Sequence, residues 1–272
     1  MPAPALPIQP AAPAAIGVFD SGVGGLSVLR ALQAQMPRTP LLYFADSGHA
    51  PYGERDDAHV QTRSLHIASA LLARGARQIV VACNTATAVA VRQLRERWPD
   101  LPIVGVEPGV KPGVAASRNG RVGVMATRVT LHSERFQRLL ADHGPGTSVI
   151  AQPCPGLAAL IEQGDLQSPA LRDRVRELVQ PLVDAQVDTV VLGCTHYVFA
   201  RHWIEAALGP QVQIIDTTDA VVRQTQRQFE AMHLPIAAAV PQPLLLTSGE
   251  PATLERIAGA WLPFECNVQG TD

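Results

Sequence analysis

The chain has 272 residues, 47% hydrophobic and 17% charged, with a formal net charge of −2. That length can bury a sizeable core in one large domain or two small ones, while the charge balance supplies no electrostatic footprint for nucleic acid. No apolar run approaches the ~20 residues needed to span a bilayer, so neither a nucleic-acid nor a membrane partner is expected.

Residues 1–14 are rich in Ala and Pro. They lack the positive start and continuous apolar centre of a signal peptide and read as a disordered or polyproline-like tail. A β-branched run at 16–19 leads into "FDSGVGGLSV" (from Phe19) and a helical pattern over 26–35. The next strand signal, 41–44, opens into the Gly/Pro-rich loop "ADSGHAPYGERD" (from Ala45), and a helix over 55–74 closes at Gly75. Strand 79–82 ends at Cys83 in "VVACNTATA" and precedes a helix over 86–98 stopped by Pro99. Strand 103–106 leads to a loop, "GVKPGV", that holds the single lysine, Lys111.

The pattern then recurs. Strands at 122–125 and 148–151 alternate with helices at 130–142, 156–163 (ending in "LIEQG" with Glu162) and 170–185. For the last of these, Ser168 is the N-cap and Pro169 lies in the first turn, and Pro181 predicts a kink or break. Strand 189–192 ends at Cys194 in "VVLGCTHYV" and is followed by a helix over 200–208, strand 212–215 and a helix over 219–232. "PLLLTSG" (from Pro243) is expected to return to the first half. The Arg-rich patches 92–97 and 172–176 alternate with acids and read as solvated helix faces.

Strand–helix alternation of this kind implies an α/β protein with parallel sheets flanked by helices. "IGVFDSG" (from Ile16) precedes the Cys83 strand by about the same distance as "VGVMATR" (from Val122) precedes the Cys194 strand. We therefore expect two similar α/β domains, one doubly wound domain being the alternative. The first spans 15–106 and 218–262, the second 107–217, and 263–272 forms a flexible tail. Ligands of such sheets bind beyond the carboxyl ends of the strands.

Each of the two cysteines follows a buried strand and precedes a helix start, at Asn84-Thr85 and at Thr195-His196. The field of a helix start lowers a thiol pKa and suits a carboxylate; an inert buried Cys beside a helix cap is the plainer alternative. Two facing acid/base groups are what inversion at a C–H stereocentre needs. The pyridoxal route needs a Schiff-base lysine, and Lys111 alone in a Pro/Gly loop favours a cofactor-free thiol route. The glycine spacing after Phe19 lacks the third glycine of a dinucleotide loop, although Asp46 ends the next strand about where a ribose-binding acid would sit. Asp20 and Ser21 fit better as cleft residues, with Asp20 close to Cys83. Tyr52 and Gly53 offer a hydroxyl and a backbone N–H. His196 is a partner for Cys194, and Glu162 is either a secondary acid or a surface helix end. A zinc site at Cys83, Cys194 and His196 lacks the usual second spaced pair, so no metal is expected. Cys154 and Cys266 read as structural. With no Cys-x-x-Cys pair and no need of disulfide staples, a cytoplasmic location is expected.

Taken together, "GVFDSGVGGLSVL", "YFADSGHAPYGER", "VVACNTATA", "PIVGVEPGVKP" and "VVLGCTHYVF" resemble the cofactor-independent aspartate/glutamate racemase superfamily, and within it the members that act on glutamate. The resemblance implies two domains in pseudo-twofold relation around a cleft, and interconversion of L- and D-glutamate for peptidoglycan. It implies proton transfer by Cys83 and Cys194, substrate binding by Asp20, Ser21, Tyr52, Gly53, Asn84, Thr85, Thr195 and His196, and assisting roles for Asp20, Glu162 and His196. Val198, Val129 and Gly48 depart from the superfamily's usual residues at loops flanking the cleft. The sequence sets no oligomeric state; a homodimer is compatible with it.

Overall fold

The computed structural model describes residues 14–235 and 237–271. Apart from Ala14, the tail expected over residues 1–14 lies outside the described residues. The first half runs β1 (Ala15–Asp20), α1 (Leu26–Gln35), β2 (Leu41–Ala45), a loop with two 3₁₀ turns (Ser47–His49 and Tyr52–Glu54), α2 (Asp57–Ala73), β3 (Ala76–Val81), α3 (Asn84–Arg97) and β4 (Ile103–Gly105). The chain then crosses to α4 (Val110–Ala116), β5 (Arg121–Ala126), α5 (Arg128–His132), α6 (Glu134–His143), β6 (Ser148–Pro153), α7 (Leu157–Glu162), α8 (Pro169–Asp184), β7 (Thr189–Gly193), a 3₁₀ turn (Thr195–Val198), α9 (Arg201–Leu208) and β8 (Gln213–Ile215). It returns through α10 (Thr218–Glu230), β9 (Leu244–Thr247), α11 (Pro251–Trp261) and β10 (Asn267–Gly270).

The strands form two sheets, β10-β9-β2-β1-β3-β4 and β6-β5-β7-β8, and every pairing is parallel. The order β2-β1-β3-β4 is repeated as β6-β5-β7-β8, so the internal repeat seen in the sequence is a repeat of topology. A single doubly wound sheet is not formed. The two passages between the sheets lie side by side, where the Thr217 hydroxyl donates to the Glu107 carbonyl (3.2 Å).

Both faces of the inner strands are covered, which is why β1, β2, β5 and β7 are almost continuously apolar. Ile16 and Val18 of β1 pack with α1, α10 and α11, whereas Phe19 packs with α2 and α3 on the opposite face. In the second sheet Val122 and Val124 face Leu131 and Phe136, and Met125 faces α8. Among the described residues no helix is long and apolar enough to cross a membrane.

Four local readings are revised. α8 is continuous through Pro181, which is exposed near the helix end, and the Glu177 carbonyl it leaves free is on an exposed residue. The helix expected over 130–142 is divided at Ser133, which is extended and accepts from the Phe136 N–H as the cap of α6. The Lys111 loop is a short helix, α4. Residues 263–272, expected as a flexible tail, include β10, which pairs with β9.

Gly17 of β1 shows how tightly helix and sheet meet. A Cβ there would lie 2.9 Å from Ile79 Cδ1 and 3.1 Å from Leu71 Cβ. Gly17→Ala is expected to destabilise the chain by about 1–3 kcal/mol through overpacking, read as a lowered urea midpoint at unchanged slope.

Candidate active site

Cys83 lies two residues beyond β3. The Ala82 N–H donates to the Phe19 carbonyl (2.8 Å), which carries the β3 end alongside the end of β1 at Asp20. Cys83 is extended and caps α3, its sulfur accepting from the Ala86 N–H (3.4 Å). Cys194 occupies the matching place in the second sheet, next to Gly193, whose β-partner is Ala126 at the end of β5. Cys194 leads into a single 3₁₀ turn, and the regular helix begins only at Arg201. The helix start expected there is therefore reduced to one turn. Both cysteines are buried, at 6% and 7% exposure.

Asp20 joins the two sheets. Its carboxylate accepts from the Gly22 N–H (2.9 Å) and the Ser21 hydroxyl (3.2 Å) on its own loop. From the other sheet it accepts the Thr195 hydroxyl (2.8 Å). The Cys83 sulfur in turn lies 3.8 Å from the Ser21 hydroxyl, so Asp20 reaches Cys83 through Ser21. On the opposite side His196 Nδ1 is 3.7 Å from the Cys194 sulfur, and its Nε2 meets Glu162 Oε1 at 2.5 Å. Glu162 also accepts from the Val23 N–H (2.7 Å).

This geometry accounts for the glycines after Phe19. A Cβ on Gly22 would lie 2.0 Å from Glu162 Oε1, and one on Gly24 would lie 2.3 Å from His196 Nδ1. The loop is bare because side chains from the second sheet fill its concavity, which leaves no role for a phosphate. Glu162, also readable as a surface helix end, is a half-buried partner of His196 and Val23.

The charges around the two sulfurs differ. Burial, and then the Asp20 charge, pushes the Cys83 thiol well above its ordinary value. The lowering expected from a helix start is outweighed by desolvation. Burial likewise raises Asp20, against the opposing His196 charge and the Thr195 and Gly22 hydrogen bonds. For His196, burial opposes the charged form, but the bonds to Cys194 and Glu162 outweigh it and hold the imidazole well above its ordinary value. A carboxylate thus adjoins one sulfur and an imidazolium the other.

Thr85 and Thr127 meet across the sheets, Oγ1 to Oγ1, at 3.0 Å. Thr127 carries no motif of its own, yet a signal for it exists: it aligns with Ser21 when "VGVMATR" is laid on "IGVFDSG". Asn84 donates to the Val106 carbonyl (3.4 Å). Gly53 packs against Thr127, whereas the Tyr52 hydroxyl donates to Asp46 and is not free to donate to a ligand. A cavity of about 280 Å³ opens beside this cluster, lined by Gly53, Thr127, Arg128, Cys154 and Tyr197 among others. Neither Cys83 nor Cys194 lines it. Cys154, read as structural, is at its wall. Among the described residues no group of three or more His, Cys, Asp or Glu side chains is arranged to hold a metal.

A glutamate racemase of Pseudomonas aeruginosa is 47% identical over 90% of this chain and 92% of its own length. One of Pseudomonas syringae pv. tomato is 46% identical over 97% and 94%. The crystal structure of a glutamate racemase isoform from Bacillus anthracis superposes with a TM-score of 0.85 at 30% identity, covering 95% of this chain and 97% of that one. The sequence pattern of Asp/Glu/hydantoin racemases matches residues 17–225, a span that takes in β1 through most of α10 and with it both cysteine-bearing strand ends. The chain belongs to the Asp/Glu/hydantoin racemase family.

Proposed function

We propose that this chain is an isomerase that interconverts L- and D-glutamate by moving the α-proton between Cys83 and Cys194. The observation that carries the reading is the equivalent placement of two buried thiols at matched strand ends of the two sheets, which Asp20 joins through Thr195. In one direction a thiolate takes the proton from one face of Cα, and the opposite thiol delivers its own proton to the other face. Each turnover leaves the first sulfur protonated and the second anionic, and the roles exchange for the reverse direction.

The free chain favours one assignment. Cys83 is held as the neutral thiol by burial and Asp20, whereas His196 lies beside Cys194 on the other half. A bound substrate ammonium would offset the Asp20 charge. Ser21, Asn84, Thr85 and Thr195, with the first N–H groups of α3, surround the carboxylate on which negative charge grows as the proton leaves. Donors aimed at charge that develops only in the transition state lower the barrier more than donors that bind both states alike. The Gly53 N–H completes the surround, while the Tyr52 hydroxyl is already taken by Asp46. The same reading divides the chain into domains at 15–106 plus 218–270 and 107–217, with β10 in the first, and puts the enzyme in the cytoplasm, supplying D-glutamate for peptidoglycan.

In heavy water, product glutamate should carry deuterium at Cα while unreacted substrate initially carries much less, without added pyridoxal phosphate. Cys83→Ala and Cys194→Ala should each abolish racemisation in both directions. Full activity in either variant overturns the two-thiol route, and faster turnover of aspartate overturns the substrate.

Gly24→Ala should displace His196 from Cys194 and lower kcat on the order of a hundredfold, as an ångström of misplacement can; circular dichroism should report an intact fold. A further expectation concerns pH. Against burial, the bonds to Cys194 and then Glu162 raise His196, so its contribution to stability is fully present below about pH 6.5 and is lost as pH climbs through the folded value. Glu162→Gln removes an anion from beside the cation, lowers the His196 value, and should move the alkaline limb of the kcat/KM profile to lower pH.

A further inference from the structure

One fully buried carboxylate takes no part in the steps above. Asp46 ends one residue beyond β2, where its N–H donates to the Asp20 carbonyl (3.1 Å), and it has no exposed surface. Three separate segments converge on its side chain. Arg63 of α2 approaches in bidentate fashion, Nε to Oδ2 at 3.0 Å and Nη2 to Oδ1 at 2.7 Å. The Tyr52 hydroxyl donates to Oδ2, and the Ser248 hydroxyl, from the turn after β9, donates to Oδ1 at 2.7 Å. Burial alone would raise Asp46, but the hydrogen bonds from Arg63, Tyr52 and Ser248 outweigh it and hold the carboxyl below its usual range.

The Ser248 oxygen has a second partner, the Gly48 N–H, at 3.2 Å. The loop between β2 and α2 is therefore fastened at two points, Gly48 to Ser248 and Tyr52 to Asp46. The fit is close: a Cβ on Gly48 would lie 2.6 Å from the Ser248 carbonyl oxygen, a backbone atom that cannot turn aside. Beyond Tyr52, Gly53 rests on Thr127, to whose Cβ an added Cβ would come within 2.9 Å. Thr127 meets Thr85. A continuous series of contacts thus runs from the β9 turn to the cluster around Cys83.

We propose that Asp46 and Ser248 are positioning residues that hold the 47–54 loop against Thr127, so that Tyr52 and Gly53 are set in place for the substrate. The inference rests on the glutamate reading of the site. A buried ion pair is a weak source of stability, whereas a side chain fixed by several charge-assisted hydrogen bonds is a strong source of orientation. Tyr52 acts by anchoring the loop, because its proton is already committed to Asp46. Contacts of this kind serve the bound substrate and the transition state alike, and their loss is read in KM.

The test compares Ser248→Ala, Ser248→Thr, Tyr52→Phe and the double variant Ser248→Ala/Tyr52→Phe, using glutamate as probe. Ser248→Ala should raise KM about tenfold with kcat within about twofold, Ser248→Thr should restore KM, and the double variant should fall short of the product of the two single effects. Gly48→Ala, which forces the same two segments apart, should show the same KM signature and serves if Ser248→Ala does not fold. An unchanged KM, a fall in kcat alone, or fully multiplicative effects overturn the proposal. Amide exchange separates this outcome from failure of the functional reading. If the unaltered chain does not racemise glutamate, that reading fails, and faster exchange at residues 47–54 in Ser248→Ala still supports the tether, while unchanged exchange overturns it.

Discussion

Asp20 is a carboxylate with no contact with water, and a buried carboxylate must find its donors inside the protein or cost several kcal/mol. Two of its donors, Ser21 and the Gly22 N–H, are local. The third, Thr195, arrives from the other sheet. That requirement holds the ends of β1 and β7 together, and the other cross-sheet contacts depend on it. Once Thr195 is held, His196 is delivered over Gly24, and Glu162 comes to rest over Gly22. The thiols take their places as the residues beside those strand ends.

The two halves share a frame and differ in decoration. β1 and β5 occupy the same place in their sheets, as do β3 and β7, and each cysteine comes after the strand beside the central one. Laid on one another, the repeats put Ala126 opposite Asp20 and Thr85 opposite His196. The anion of one half and the cation of the other therefore have no counterparts across the approximate symmetry. Duplicated topology supplies two equivalent thiols; the unmatched residues give them different surroundings.

Much of this was legible in the chain. Alternating strand and helix signals arise from burial on both sheet faces, and the cysteine positions arise from strand ends, which are local in sequence. The glycines after Phe19 were visible but misleading as a pattern, since their reason is a pair of side chains some 140 and 170 residues away. Ser133 was missed because a helical period continues across it while its hydroxyl caps the next helix, a competition between side chain and backbone that periodicity does not register. Asp46 stands out in the sequence only by its place at the end of a strand. Its partner Ser248 lies 202 residues distant, and no local rule joins them. At Cys83 the helix cap is legible in the sequence, whereas the desolvation that raises the thiol comes from burial by distant segments.

The unequal surroundings of the two sulfurs carry a thermodynamic obligation. Mirror-image amino acids have the same free energy in water, so an enzyme that inverts one into the other works against an equilibrium constant of unity whatever its own shape. A lopsided binding site is free to grip one hand more tightly, but the Haldane relation then slows that hand's turnover in the same proportion. Handedness in this molecule is confined to the rates and affinities along the way.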